Sequence, residues 1–297
     1  MLLYDRENFS GPAGFGTLPM TSYIGSMQQF THIRDLYKPV QPAVSASGEA
    51  VSYVEMLPCP ALQPYIYCYW QLKTNVAAVE PFPYRVVADG CMDIFFAPGN
   101  AAETWLMGIS DAYTEFPLTG DFHFAGIRFL PGIFPQLYHV AADAFTGKTE
   151  NLAAIDPQLT RQLADRCAGI QKPEALALVL DELLLGLIGG KTFSPDGRFY
   201  EALDLSLRHN GTIQLEKEIQ TGISPRQLRR MFGQYVGDKP KAFSSIVRFQ
   251  RILQAKPSSR SLREDTLFFD AGYYDQSHFI REFRRFYGLT PGQAWGR

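Results

Sequence analysis

Arginine gathers twice at helical spacing in this chain, in "PRQLRRMFGQYVGDKP" (225–240) and again in "QSHFIREFRRFYGLTP" (276–291). A guanidinium presents its N–H donors as a rigid fork that matches phosphate oxygens or the O6/N7 edge of guanine, and glutamine matches the N6/N7 edge of adenine in the same two-pronged way. On a 3.6-residue period Leu228, Met231, Phe232 and Tyr235 make one apolar stripe, with Arg226, Arg230 and Gly233 opposite. The second stretch obeys the same wheel, Phe279, Phe283 and Phe286 inward and Ser277, Arg281 and Arg284 outward. Each stretch therefore predicts a helix anchored by aromatics that presents forked donors to a polar, acceptor-rich surface.

The flanking residues punctuate both helices. Ser224-Pro225 supplies a capping hydroxyl followed by Pro at the first helical position, and Asp275 is placed to cap the second helix. Gly237 and Gly288 stop the helices, and Pro240 and Pro291 keep them from resuming. An offset of 51 residues matches Arg230 to Arg281, Phe232 to Phe283, Gly237 to Gly288 and Pro240 to Pro291. Between the copies "KPKAFSSIVRFQRILQAK" carries Phe243, Ile246, Val247 and Leu253 at helical spacing, enough for one long bridging helix. Upstream of each copy, "TIQLEKEIQTGIS" and "LREDTLFFDAGYYD" offer a short helix and a glycine turn, so each unit reads as a helix-turn-helix, whose second helix is built to enter a major groove.

Charge divides along the same line. Residues 1–192 hold 11 Lys+Arg against 19 Asp+Glu, a net of −8, whereas 193–297 hold 17 against 11, a net of +6. A basic module tethered to an acidic one suits a chain of which only one end meets a polyanion.

"GISPRQLRRMF", "GYYDQSHFIREFRRFYGLTP" and the intervening "IVRFQRILQA" resemble the AraC/XylS family of transcription regulators, which carry two helix-turn-helix units joined by a long helix. The resemblance covers the last ~100 residues. It implies double-stranded promoter DNA as partner, and by position it assigns base or backbone contacts to Arg226, Arg229 and Arg230 in the first unit and to Gln276, Ser277, His278, Arg281 and Arg284 in the second. It also implies a small-molecule effector, RNA polymerase as a partner, and a homodimer. The sequence departs from the family pattern at Lys217-Glu218, where Leu-Ala is usual, and at Phe268, where a small Ala is usual. Leu215 and Ile219 are then expected to pack the first supporting helix.

The front of the chain resembles sensor domains of some AraC-type regulators through "PALQPYIYCYWQL", "RVVADGCMDIFF" and "FAGIRFLPGIFPQLYHV". Read on its own, "YIYCYWQL", "CMDIFFAP" and "FHFAGIRFL" are short aromatic and β-branched runs separated by turn residues, the mark of strands in a barrel or sandwich. Asp89-Gly90 reads as a hairpin between "RVVA" and "CMDIFF". Such a domain has room for one small molecule; the candidate lining residues are Tyr67, Trp70, Arg85, Asp93, Trp105 and Arg128, the charged ones because a charge near an interior needs a partner or a ligand.

The expected organisation is α+β: an N-terminal extension (1–50), a β-rich barrel or sandwich-like sensor domain (51–157), a helical linker (158–192) and an all-α double helix-turn-helix domain (193–297). In the linker Leu159, Leu163, Leu176, Val179, Leu180, Leu183, Leu184 and Leu187 form a stripe that either packs on the front domain or meets a second copy of the chain. "SGPAGFGTLPM" has no strand before it and no Lys-Ser/Thr after it, so it reads as a flexible segment and not a phosphate loop.

No apolar run is long enough to span a membrane, since Asp181 and Glu182 interrupt the longest, and Asp5, Arg6 and Glu7 do not suit a secretory leader, which points to the cytoplasm. Cys59, Cys68, Cys91 and Cys167 lack metal or redox spacing, and no cofactor, metal or catalytic residue is expected. The runner-up is an enzyme of DNA-repair type, with a reactive cysteine (Cys59, Cys68 or Cys91) and the helical domain as its DNA-targeting tail; a helical interaction module without DNA affinity is a further alternative.

Overall fold

The computed structural model describes residues 32–42, 50–75, 82–189, 191, 193, 196–219, 222–255 and 267–295; "SGPAGFGTLPM" lies outside them. β-Rich and helical parts follow one another as the α+β reading expects. The runs rich in aromatic and β-branched residues become β1 (Val51–Met56), β2 (Ile66–Thr74), β3 (Phe82–Val86), β4 (Asp93–Ala97), β5 (Asn100–Met107), β6 (Thr114–Leu118), β7 (His123–Phe129) and the short β8 (Thr149–Asn151). They form an antiparallel six-stranded sheet in the order β1-β2-β7-β4-β5-β8 and a separate pair, β3-β6.

The large sheet is open, with β1 and β8 at its edges, so the front domain is sandwich-like and not a closed barrel. Strand alternation sends Tyr69, Ile94, Phe96, Leu106, Ile127 and Phe129 into a helix-covered core and Trp70, Leu72, Phe95 and Phe124 to the face covered by β3-β6. Register places Cys68, Arg128 and Asp93 in one cross-strand row and Trp70, Gly126 and Phe95 in the next row on the same face. Gly126 is required there: a Cβ would lie 2.1 Å from the Trp70 ring.

The hairpin expected at Asp89-Gly90 does not form. β3 pairs with β6, and β4 lies between β5 and β7 in the other sheet. The Asp89 carboxylate turns the chain locally, accepting from Cys91 N at 3.0 Å and from Gln41 Nε2 at 2.8 Å, which frees Val87–Cys91 to leave the sheet. Asp-Gly supplies the turn but cannot choose the strands that pair across it.

Against the other sheet face lie α1 (Ile133–Tyr138), α2 (Pro157–Cys167) and α3 (Pro173–Gly189). Leu159, Leu163, Leu176, Leu180, Leu183 and Leu184 are buried in the front-domain core, so the leucine stripe packs within its own chain. Tyr69 Oη donates to Asp181 Oδ1 at 2.8 Å, which explains the acidic break in that stripe. None of the described helices is long and apolar enough to cross a membrane.

The remainder is helical: α4 (Gly197–Arg208), α5 (Leu215–Glu218), α6 (Pro225–Val236), α7 (Pro240–Ala255), α8 (Leu267–Asp270), α9 (Gln276–Tyr287) and α10 (Pro291–Trp295). Two aromatic clusters organise it. Phe199, Leu228, Met231, Phe232 and Phe243 join the front-domain core, whereas Phe249, Phe279, Phe283 and Phe286 form a core of their own with Val87 and Ala88 at its border.

Candidate nucleic-acid interface and effector cleft

The first reading helix, α6, starts on a capping box: Gln227 N donates to Ser224 Oγ at 3.3 Å and Ser224 N to Gln227 Oε1 at 3.1 Å. It ends at Gly237, whose φ of 69° is the left-handed conformation that glycine adopts without steric cost. Leu228, Met231, Phe232 and Val236 are buried, and Tyr235 packs half-buried against Phe199 at 4.6 Å between ring centroids. Arg226, Arg229 and Arg230 are exposed. Arg229 Nη1 pairs with Glu216 Oε2 on α5 at 2.6 Å, a contact that orients the side chain along the surface. Leu215 is buried and Ile219 packs beside the core, as expected from the departure at Lys217-Glu218.

Gly233, expected on the free face, is half-buried because the 3-10 turn Ala142–Phe145 of the front domain runs alongside α6. A Cβ at Gly233 would come 3.2 Å from Asp143 Oδ2, and Thr146 Oγ1 donates to Gly237 O at 2.6 Å.

The second reading helix, α9, is capped by Asp275, which accepts from His278 N at 2.7 Å, and ends at Gly288 with φ 88°. Gln276, Ser277, Arg281 and Arg284 are exposed. His278 is not free in the same way: its ring meets Tyr273 edge-on at 5.3 Å and Nε2 lies 3.4 Å from Glu282 Oε2. Phe268 is accommodated by stacking on Phe279 at 6.1 Å, so the bulky residue is part of the small second core.

Residues that the sequence reading passed over fix the geometry between the units. Arg248 on α7 donates to Gly211 O at 3.2 Å and to Ser245 Oγ at 2.9 Å, and lies 3.6 Å from Glu282 on α9. Gln250, fully buried on α7, donates to Ala88 O at 2.8 Å and accepts from Val40 N at 2.7 Å. Ala88 N in turn donates to Phe286 O at 3.4 Å, and Tyr113 N donates to Arg285 O at 3.1 Å while Arg285 pairs with Asp111. A buried glutamine in an arginine-bearing amphipathic helix was the one available signal; its partners, over 160 residues away, were not legible.

Between the two sheets lies a cleft of about 540 Å³ including its mouth, walled mainly by apolar side chains. Of the six candidate lining residues, Trp70, Asp93 and Arg128 belong to its wall. Tyr67, Arg85 and Trp105 do not: Tyr67 lies under the Arg34 guanidinium, Arg85 pairs with Glu115 at 2.6 Å, and Trp105 pairs across strands with Phe95 and with Asn151 of the edge strand. Strand alternation alone cannot tell a cleft wall from the rest of the same sheet face.

Arg128 is 1% exposed. Its Nε and Nη2 donate to Asp93 at 3.1 and 2.9 Å, Nε lies 3.3 Å from Asp89 Oδ2, and Trp70 Nε1 donates to Asp93 Oδ2 at 3.0 Å. Burial alone would lower the Arg128 pKa, but Asp93 and Asp89 outweigh it and hold the guanidinium charged. Burial raises Asp89 to about 6, opposed by Arg128 and reinforced by Asp93. The floor of the cleft and the turn that reaches α7 and α9 thus share one buried ion cluster.

Residues 219–295, which contain both reading helices, match a helix-turn-helix domain family, and residues 54–151 match a domain of unknown function, DUF6597. The thermoregulatory protein LcrF of Yersinia pestis is 28% identical over 204 residues, covering 60% of this chain and 70% of that protein. The virulence regulon transcriptional activator VirF of Yersinia enterocolitica matches with the same identity and coverage. The crystal structure of ToxT from Vibrio cholerae aligns over 83% of this chain and 96% of its own at 11% identity, with a TM-score of 0.36. The match to the helix-turn-helix model across both reading helices, together with the two Yersinia regulators, marks the chain as a DNA-binding transcription regulator with an AraC-type helix-turn-helix domain.

Proposed function

We propose that the front domain controls DNA binding through a small effector held in the inter-sheet cleft. One observation carries this reading: Arg128 in the cleft wall is ion-paired both with its wall neighbour Asp93 and with Asp89, whose turn is hydrogen-bonded to the bridging helix at Gln250 and to the second reading helix at Phe286. A ligand that moves Arg128 or Asp93 acts on a turn seated against both helices, and it shifts DNA affinity by its differential affinity for the two arrangements.

In this reading Arg226, Arg229 and Arg230 contact one major-groove segment and Gln276, Ser277, Arg281 and Arg284 the next, with the bridging helix setting a separation of about 34 Å. His278, engaged with Tyr273 and Glu282, positions the start of α9. The protein acts in the cytoplasm, where it meets promoter DNA and RNA polymerase. A second copy of the chain docks on the outer face of α3, where Leu178 and Leu185 are exposed. Burial pushes the Cys68 and Cys91 thiols upward, away from the thiolate that a nucleophilic cysteine needs, which speaks against these two as the nucleophile of the enzyme reading.

Blocking the cleft tests the control. In full-length Met107→Trp, a side chain of the cleft wall grows into it, and affinity for a selected duplex should change severalfold at fixed salt. An unchanged affinity in a folded variant would remove the front domain from control while leaving DNA binding intact.

A further inference from the structure

The cleft's wall chemistry identifies the class of molecule that fits it. Its sides are aromatic and aliphatic, with Phe95 edge-on to both Phe116 and Phe124 at 6.2 and 6.5 Å. Such a slot suits a flat ring, since ring edges and faces pair favourably in these geometries. Its enclosed part is small, about 90 Å³, which limits the occupant to a compact molecule.

Charge enters through Asp93 and Arg128 alone among the wall residues, which also carry the Tyr84 hydroxyl and the Trp70 indole N–H as neutral polar groups. Asp93 has no spare capacity for a cation: Oδ1 accepts from Arg128 Nε, and Oδ2 accepts from both Arg128 Nη2 and Trp70 Nε1. Arg128 has a donor left over. Its Nη1 is buried without a hydrogen-bond partner, the closest carboxylate being Glu55 Oε1 at 3.7 Å. A buried N–H without an acceptor is costly, so an acceptor delivered there gains more than it would at the surface.

Charge then decides which acceptor. One guanidinium already faces Asp93, Asp89 and, at the sheet edge, Glu55. An anionic head group would add a further negative charge to a cluster that has more carboxylates than cations, in surroundings that screen poorly. A neutral oxygen meets the same N–H without that repulsion.

We infer that the cleft takes a compact, uncharged aromatic molecule with one hydrogen-bond acceptor, a ketone-, amide- or phenol-type oxygen, which receives Arg128 Nη1–H. The inference rests on the reading of the cleft as the effector site and narrows it.

Four probes of nearly one shape test it on the full-length chain: acetophenone, ethylbenzene, benzoate and benzylamine, titrated by calorimetry into the millimolar range. Acetophenone should bind at least about tenfold tighter than benzoate or benzylamine, as expected where a like charge or an unmatched cation must be buried. It should also bind tighter than ethylbenzene, which lacks the oxygen. NMR contacts from its ring protons to the methyl groups of Leu72, Met107 and Leu118 should locate it without any substitution. A folded Leu118→Trp chain, with the slot filled, should no longer bind it.

Tighter binding of benzoate or benzylamine would overturn the neutral-acceptor assignment while leaving the cleft as the effector site. Equal or tighter binding of ethylbenzene would take Arg128 out of recognition. If no probe binds, or if acetophenone binds without contacting those methyl groups, both the inference and the effector-site reading fail together.

Discussion

Helices α6 and α9 each start on a side-chain cap, stop at a left-handed glycine, and oppose exposed arginines to an apolar stripe, yet α6 is rooted in a core shared with the front domain and α9 in a core of its own. Phe232 packs on Phe199 and Phe243 in a cluster continuous with Ile133, Phe134 and the large sheet. Phe283 packs on Phe249, Tyr287 and Trp295, and among the described residues the front domain joins that cluster through Val87-Ala88 and the N-terminal extension through Val40. Duplication thus supplied two similar reading devices, and tertiary packing made one a fixed part of the body and the other a part held by polar contacts at its border.

The largest expected effect tests that asymmetry directly. Phe232→Ala and Phe283→Ala each empty an aromatic core site and should cost about 3 to 5 kcal/mol. In calorimetry the first should lower the main transition of the whole chain, while the second should melt the second unit early and leave the main transition near its wild-type temperature. A single shared transition lowered equally by both would abolish the distinction.

At the reading faces the two units should behave alike. Arg230→Ala and Arg281→Ala should each lose about 1 to 3 kcal/mol of discrimination at a defined position, read by selection from randomised duplexes. Arg251→Ala, exposed on the bridging helix, should weaken all sequences evenly and reduce the salt slope by about one. If Arg230→Ala keeps the wild-type preference, reading rests on the second unit.

The polar border of the second unit comes next. Gln250→Ala leaves Ala88 O and Val40 N without partners and should cost about 1 to 3 kcal/mol. Hydrogen exchange should then accelerate at Ala88, whose N–H bonds to Phe286 O, before it changes within α6. Equal acceleration in both units would argue against a separately held second helix.

A smaller, pH-dependent effect belongs to Asp89. Its folded pKa of about 6 lies above the ordinary value of 3.8, because burial outweighs Arg128. The folded state therefore binds the proton more tightly, and the contribution of Asp89 to stability falls as pH rises from about 4 to 6 and is flat above that. Asp89→Asn lacks this titration, so its melting temperature relative to wild type should rise between pH 4 and 7. The smallest effect is that of Arg285→Ala, whose ion pair with half-exposed Asp111 should contribute about 0 to 1 kcal/mol and fade with salt.

Much of the helical module was legible because its signals are local. Caps, stop glycines and a 3.6-residue stripe act within a few residues of one another, and Ser224, Asp275, Gly237 and Gly288 perform in the structure the roles their types dictate. The strands "YIYCYWQL", "CMDIFFAP" and "FHFAGIRFL" were legible for the same reason. The Asp89-Gly90 hairpin misled because a turn residue specifies a change of direction and not a pairing, and the carboxylate found Gln41 and Arg128 instead.

The sequence by itself determined where this chain turns helical, which faces of those helices are apolar, and that two arginine-bearing copies must exist, since periodicity and capping are properties of neighbouring residues. Only the tertiary structure decided that Gly233 lies beside Asp143, that Gln250 joins Val40 to Ala88, and that Trp70, Asp93 and Arg128 share one cleft while Tyr67, Arg85 and Trp105 stand outside it. Those relations depend on sheet order and on how two cores meet, and no spacing along the chain encodes them, because the contacts that fix them join residues far apart in sequence.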